Sequence, residues 1–327
     1  MELVALPYAV IFPGQGAAAP SMGDAWRAHR AWRIVEHAEE VLDAPLGRLL
    51  LDADAAELST TRASQLAVLL VSLMAWESFS DQVSERPVAF AGHSLGQITA
   101  LVAAGGIGRD DGLRLAGRRA ELSQQSADAN PGRMAALVGA NIHTAERVCA
   151  DLDAWVANDN APGQVVIAGT MQAMDKTAER AKTLGVRRAI PLDVGHAFHT
   201  PLLADAAEGL RPLLDILSFT EPEAPIVANT DALAHTDPAC WPDQLTRHLV
   251  EPVRWRECQR TLSTLGADTL VEIGPGRILA GLARRTVPEM RVVSLGTPEG
   301  AAQAAGMLAA HPATASLPHS TPPEAMP

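Results

Sequence analysis

Pro87-Val88-Ala89-Phe90-Ala91-Gly92-His93-Ser94-Leu95-Gly96-Gln97 decides how this chain is read. A short apolar run ends in two glycines placed two residues either side of a serine, and an apolar helical stretch follows from Gln97 to Ala104. A continuous apolar run, in place of an alternating one, suits a parallel strand buried on both faces. A serine at so sharp a strand-to-helix turn has an exposed hydroxyl and a strained backbone, and the glycines let strand and helix approach closely. The helix that follows aims its free N–H groups and positive dipole end at the serine. Ser94 is therefore the candidate nucleophile, and the amide of Leu95 a candidate donor to an oxyanion.

The same kind of strand and turn opens the chain. Tyr8 to Phe12 is apolar and is closed by Pro13-Gly14-Gln15-Gly16. Helical periodicity is expected over about Ala25 to Leu42, Ala63 to Ser80 and Asp110 to Gln125. Between Gly132 and Pro191 the pattern changes. Strands are predicted at Met134–Val138, Ala154–Asn158, Gln164–Ala168 and Val186–Ile190, with helices at Ile142–Leu152 and Gln172–Leu184. The order β-α-β-β-α-β is ferredoxin-like. Helices at Leu202–Leu217, Trp241–Leu249 and Trp255–Leu265 follow, interleaved with strands at Pro225–Ala228, Thr269–Ile273 and Arg291–Ser294. The expected fold is α/β. An α/β-hydrolase-like large domain with a parallel sheet (residues 1–130 and 191–300) carries an inserted ferredoxin-like subdomain (131–190), and a Pro-, Ala-, Ser- and Thr-rich tail (311–327) is expected to be disordered.

Composition narrows the function. Of 327 residues 47% are hydrophobic, enough for a large core. The net charge of −12, from 26 basic against 38 acidic residues, argues against nucleic acid as a partner, which needs a broad basic face. Cys149, Cys240 and Cys258 lack CxxC spacing, which excludes a disulfide framework and a zinc-finger pattern and suits a reducing compartment. Met1-Glu2 does not open a signal peptide, and the longest apolar runs, such as Leu66–Leu70 continuing to Met74, fall short of a membrane span. A soluble, cytoplasmic monomer without metal or redox cofactor is expected.

A nucleophilic serine needs a base. His196-Ala197-Phe198-His199 lies in a loop between a predicted strand and a helix, but spacing alone leaves His196, His199 and His93 equal. Gln15, at the first turn, is placed to complete an oxyanion hole through its side chain or amide. Arg119 follows Ser94 by 25 residues on a helix, and an arginine near a nucleophile is suited to clamp a carboxylate in two parallel hydrogen bonds.

Five stretches together carry a resemblance: Phe12-Pro13-Gly14-Gln15-Gly16, Gly92 to Gly96, Asn158 to Gly169 (NDNAPGQVVIAG), His196 to His199 (HAFH) and Glu272 to Gly276 (EIGPG). From about Ala9 to Leu295 the chain resembles the malonyl-CoA:acyl-carrier-protein transacylases and the acyltransferase domains of polyketide synthases. The resemblance implies that Ser94 takes up the acyl group, His199 is the base, Gln15 and Leu95 supply oxyanion amides, and Arg119 holds a malonyl carboxylate. It implies that His93 flanks the elbow, that Asn160 lines the substrate site, and that HAFH, with His196 and Phe198, favours malonyl over methylmalonyl. The base in this family is oriented by a backbone carbonyl; the matching residue is His248, where Gln or Asn is usual. Gln97 stands where Glu commonly follows the motif. The implied substrates are a coenzyme A thioester and an acyl carrier protein, with Arg187, Arg188, Arg284 and Arg285 as candidate docking residues. Two alternatives share the site: transfer of a larger acyl or aminoacyl group between carriers, and hydrolysis of acyl-carrier thioesters.

Overall fold

Tyr8–Phe12 (β1) is buried at every position, as is Ala89–Gly92 (β2), which pairs with it in parallel from Ala9↔Ala89 to Phe12↔Gly92. These two strands lie at the centre of a six-stranded sheet. The structure, a computed structural model, describes residues 6–192, 194 and 196–309. The remaining strands are Gly132–Val138 (β3), Ala154–Ala161 (β4), Gln164–Thr170 (β5), Arg188–Pro191 (β6), Ile226–Val227 (β7), Ala234–His235 (β8), Thr269–Ile273 (β9) and Arg291–Leu295 (β10). The large sheet runs β10-β9-β1-β2-β7-β8, parallel throughout except for the edge strand β8. In such a sheet ligands bind beyond the carboxyl ends of the strands, which is where β1 and β2 deliver Pro13 to Gln15 and His93 to Ser94.

The helix Thr61–Ser80 crosses one face of this sheet. It is long and apolar enough to cross a membrane, yet 83% of its apolar window is buried against the rest of the fold, the place of a core helix. On it, Trp76 packs edge-on against Phe12 and Phe90. Trp255, Cys258 and Leu262 of the helix Trp255–Thr264 belong to the core cluster under Ala9, Ile11 and Ala89.

The second sheet is antiparallel, in the order β4-β5-β3-β6. Counted from β3, that is the 2-3-1-4 order of a ferredoxin-like sheet. Helices Ile142–Cys149 and Met171–Thr183 pack on it around Leu137, Val148, Ile167 and Met174. Register shifts interrupt the β4–β5 pairing between Val156 and Asn158 and between Asp159 and Ala161. Bulges of this kind re-aim side chains. Here they present Asn158 and Asn160 to the cleft, while Asp159 pairs with Arg256 at 2.7 Å and ties the small sheet to the helix Trp255–Thr264 under the large one.

Three expected helices differ. Ala25–Leu42 is not continuous: two 3₁₀ turns, Asp24–Trp26 and Arg30–Trp32, precede the helix Arg33–Leu42. The His29 ring accepts the Ala31 N–H at 3.2 Å, a local bond that competes with the helical ladder. Leu202–Leu217 begins as a 3₁₀ turn set by Pro201 and is helical only over Ala204–Leu214. Ile142–Leu152 stops at Cys149, where Ala150 turns out of helical conformation. The expected tail at 311–327 lies outside the described residues.

Candidate active site

Ser94 sits between β2 and the helix Gly96–Ala103 with φ +53°, a left-handed conformation that a non-glycine residue adopts only when its surroundings impose it. The imposition is steric. A Cβ on Gly92 would collide with the Gly96 carbonyl, and one on Gly96 with the Phe12 carbonyl, so strand, bend and helix close only around two bare backbones. No side chain caps the helix, and the Leu95 N–H has no partner among the described residues.

Of the three histidines, His199 reaches the serine: its Nε2 lies 2.8 Å from the Ser94 Oγ. Its Nδ1 lies 2.7 Å from the carbonyl oxygen of His248, an acceptor only, so Nδ1 carries the proton and Nε2 presents a lone pair. His199 also has a positive φ, +59°. Burial, and then the nearby charge of Arg119, push its pKa down to about 3, which keeps the ring neutral across the working range. The His248 ring leans on His199 at 5.1 Å between centroids, tilted 30°. Its Nε2 has no hydrogen-bond partner among the described residues. The replacement of the usual amide at 248 thus leaves the carbonyl contact intact.

Arg119 is buried, and its guanidinium is bound on one side by the Gln65 Oε1 at 2.6 Å and on the other by the Ser94 Oγ at 3.1 Å. Among the described residues no carboxylate pairs with it. Desolvation lowers its pKa to about 10, so the charge persists at neutral pH. Gln65 passes the contact on, donating from Nε2 to the Gln15 Oε1 at 2.9 Å. The Gln15 side chain is therefore committed to Gln65, and its backbone N–H, without a partner among the described residues, is the group left over. Gln65 was not singled out in the sequence. Its signal was there: an amide inside the long apolar stretch of Thr61–Ser80, where a fully buried side chain needs partners.

A cavity of about 290 Å³ opens at this point, bounded by Gln15, Ser94, His199, Asn160, Phe198 and the helix residues Ile278 and Leu282. His93 places its Nε2 2.9 Å from the Asn160 Oδ1 and packs edge-on against Trp255, and desolvation lowers its pKa. Phe198 lines the cavity, whereas His196 is fully buried behind it, edge-on at 5.1 Å. Both nitrogens of His196 lack partners among the described residues, and desolvation pushes its pKa down to about 4. Glu272 of the EIGPG stretch stays outside the cavity. Its carboxylate accepts the Leu279 and Ala280 N–H groups at 2.9 and 3.0 Å and so caps the helix Ile278–Thr286 that forms one wall.

The four arginines are exposed but scattered. Arg285 is committed to the β4–β5 turn, donating to the Gln164 Oε1 and the Pro162 carbonyl at 3.1 and 3.2 Å. Arg284 borders a separate groove with Met22 and Met307. Arg188 lies on β6, and Arg187 precedes it beside Gly139. Among the described residues no three His, Cys, Asp or Glu side chains gather as a metal site would require.

Fold and site together define a class: α/β proteins with a serine on a strained strand-to-helix elbow. Within that class the chain belongs to the acyl transferase domain family, whose sequence profile matches residues 9–310. It is 34% identical over 298 residues to a malonyl CoA-acyl carrier protein transacylase of Bacillus subtilis, covering 89% of this chain and 94% of that one. The fold matches an acyl carrier protein S-malonyltransferase from Vibrio cholerae with a TM-score of 0.86, at 35% identity over 91% of this chain and 99% of that one. A malonyl-transacylase solved with a type II PKS acyl-carrier protein matches with a TM-score of 0.88 and 31% identity, covering 92% and 99%.

Proposed function

We propose that this chain moves a malonyl group from malonyl-CoA to the phosphopantetheine thiol of an acyl carrier protein, in fatty acid or polyketide assembly, through an ester on Ser94. The observation that carries the substrate assignment is Arg119: a buried guanidinium with no carboxylate partner among the described residues, 3.1 Å from the Ser94 hydroxyl. A buried charge is costly until it is paired, and a malonyl carboxylate pairs it. An uncharged acyl chain leaves it unpaired.

The cycle is ping-pong. His199 Nε2 takes the Ser94 proton as Oγ attacks the thioester carbon, and the developing oxyanion is received by the Gln15 and Leu95 amides. The C–S bond breaks, the coenzyme A thiolate takes the proton from His199, and malonyl-Ser94 remains. The carrier thiol then gives its proton to His199 and attacks the ester, and Ser94 leaves with that proton restored. Carboxylate binding at Arg119 also offsets the positive charge that, after burial, holds the pKa of His199 down. The base therefore strengthens when the right substrate is bound. Phe198 lines the cavity, and a ring there would meet an α-methyl group on the acyl unit, which supports malonyl over methylmalonyl. The cycle uses no metal or redox cofactor. The three unpaired cysteines support a reducing compartment, the cytoplasm. Docking of an acidic carrier falls to the exposed Arg187, Arg188 and Arg284, with Arg285 bracing the rim.

A panel of malonyl-, methylmalonyl- and acetyl-CoA against the purified protein, with and without holo-carrier, tests this reading. Malonyl transfer is expected to exceed the other two by at least tenfold. Preferential use of acetyl-CoA, or release of free malonate faster than carrier loading, contradicts it.

A further inference from the structure

We propose that Asn229, which follows β7 and lies across from the elbow, is a positioning residue that holds Ser94 in its reactive conformation. The inference rests on Ser94 being the nucleophile. Asn229 is fully buried, and both ends of its side-chain amide are engaged at the bend. Oδ1 accepts the Ser94 N–H at 2.8 Å, and Nδ2 donates to the Gly92 carbonyl at 2.8 Å. One planar amide thus bridges the last carbonyl of β2 and the amide of Ser94, while the intervening His93 N–H still donates to the Phe12 carbonyl of β1 at 2.9 Å. The Asn229 backbone is fixed in turn. Its N–H donates to the Gln97 Oε1 at 2.7 Å, and its carbonyl accepts the Arg254 N–H at 2.9 Å.

Three consequences follow from these bonds. The left-handed φ of Ser94 is held by two hydrogen bonds as well as by the absence of side chains at Gly92 and Gly96. With its N–H consumed by Asn229, Ser94 has no amide to offer an oxyanion, which leaves Leu95 as the first free donor of the elbow. Gln97, where the family commonly has Glu, supplies the one acceptor that Asn229 needs without burying a negative charge under the nucleophile. Its Nε2 is left without a partner among the described residues, so its acceptor oxygen is the part in use.

Asn229→Ala leaves the Ser94 N–H and the Gly92 carbonyl unpaired, and the bend is free to relax away from His199. Displacement of a reacting group by about 1 Å costs on the order of 100-fold in rate. The experiment is single-turnover malonylation by malonyl-CoA, followed by intact mass, for wild type, N229A, N229D and S94A, with thermal melts of each. The expected result is a first-order rate at saturating malonyl-CoA reduced about 10- to 100-fold in N229A. KM should stay within about threefold, as Arg119 and the cavity are untouched, and N229D, which keeps an oxygen facing the Ser94 N–H, should fall between N229A and wild type. An N229A rate within twofold of wild type, or a loss expressed wholly in KM, overturns the proposal. If N229A does not fold, N229D decides: a slowed rate at unchanged KM supports the proposal, and a wild-type rate overturns it. Malonyl uptake by S94A would instead refute the nucleophile assignment, whereas an inert S94A beside a fully active N229A refutes the role of Asn229 alone.

Discussion

Ser94 stands on a bend closed by two glycines and bridged by one asparagine, whereas the His199 ring is oriented by burial and, on the side away from Ser94, by one bond to the His248 carbonyl. The two halves of the site meet at 2.8 Å but are secured differently. At the elbow, neighbouring backbones leave no room for any other arrangement. At the base, orientation comes from one hydrogen bond and a desolvated pocket. Substitutions at the two elbow glycines should therefore act all or none, and changes at Asn229 or around His199 should act by degrees.

The largest effect is expected at the glycines. Gly92→Ala places a Cβ onto the Gly96 carbonyl, and backbone on both sides prevents relief. The variant should lose roughly 4 kcal/mol or more of stability, read as a collapsed thermal melt or insoluble expression. A well-folded, active G92A would break the steric account. Next is Arg119→Ala, which removes the proposed partner of the malonyl carboxylate. kcat/KM for malonyl-CoA should fall by roughly 150- to 5,000-fold, in line with about 3–5 kcal/mol for breaking a buried pair, while turnover of acetyl-CoA should not fall. Equal losses on both substrates would remove the carboxylate role.

Acid should expose the softer half. His196 and His199 are held neutral, with pKa values near 4 and 3 against an ordinary 6.5, and burial lowers those of His93 and His248 as well. The unfolded chain takes up protons below about pH 6.5, and the folded chain does not until these lower values. Their contribution to stability is thus complete above 6.5 and lost as pH falls toward 4. Tm measured across this range should drop by roughly 5 °C or more, and a flat profile would contradict the buried, neutral state. The smallest effect is expected for His248→Gln, which keeps the carbonyl that orients His199. Steady-state kcat should change by less than about threefold, or 0.6 kcal/mol, and a larger loss would show that the stacked ring also contributes.

The same contrast governs what the sequence made legible. Glycines two residues either side of a serine, between an apolar run and a helix, have a steric meaning that survives without coordinates, and β1 and β2 followed from continuous apolar runs. The choice of His199 over His196 and His93 did not follow from spacing, because all three are consistent with a loop or turn beside the elbow. It came from resemblance; the geometry shows that, of the three, His199 lies within hydrogen-bond distance of the Ser94 hydroxyl. Asn229 was missed because its partner lies 135 residues away in sequence and nothing local announces the contact, whereas Gln65 carried a local signal, an amide inside an apolar helix, that did not name a partner 54 residues away. The break in the expected helix at 25–42 was missed for the opposite reason: one side-chain bond, from the Ala31 N–H to the His29 ring, outweighs a periodicity summed over many residues.

The central claim is that an acyl group is captured on Ser94. Peptide mapping by mass spectrometry, after brief exposure to malonyl-CoA and an acid quench, tests it most directly. The account predicts one malonyl group per chain, confined to the peptide containing Ser94, discharged when holo-carrier is added and absent from S94A. A malonyl group on any other residue, or transfer to the carrier by S94A at an undiminished rate, would contradict it.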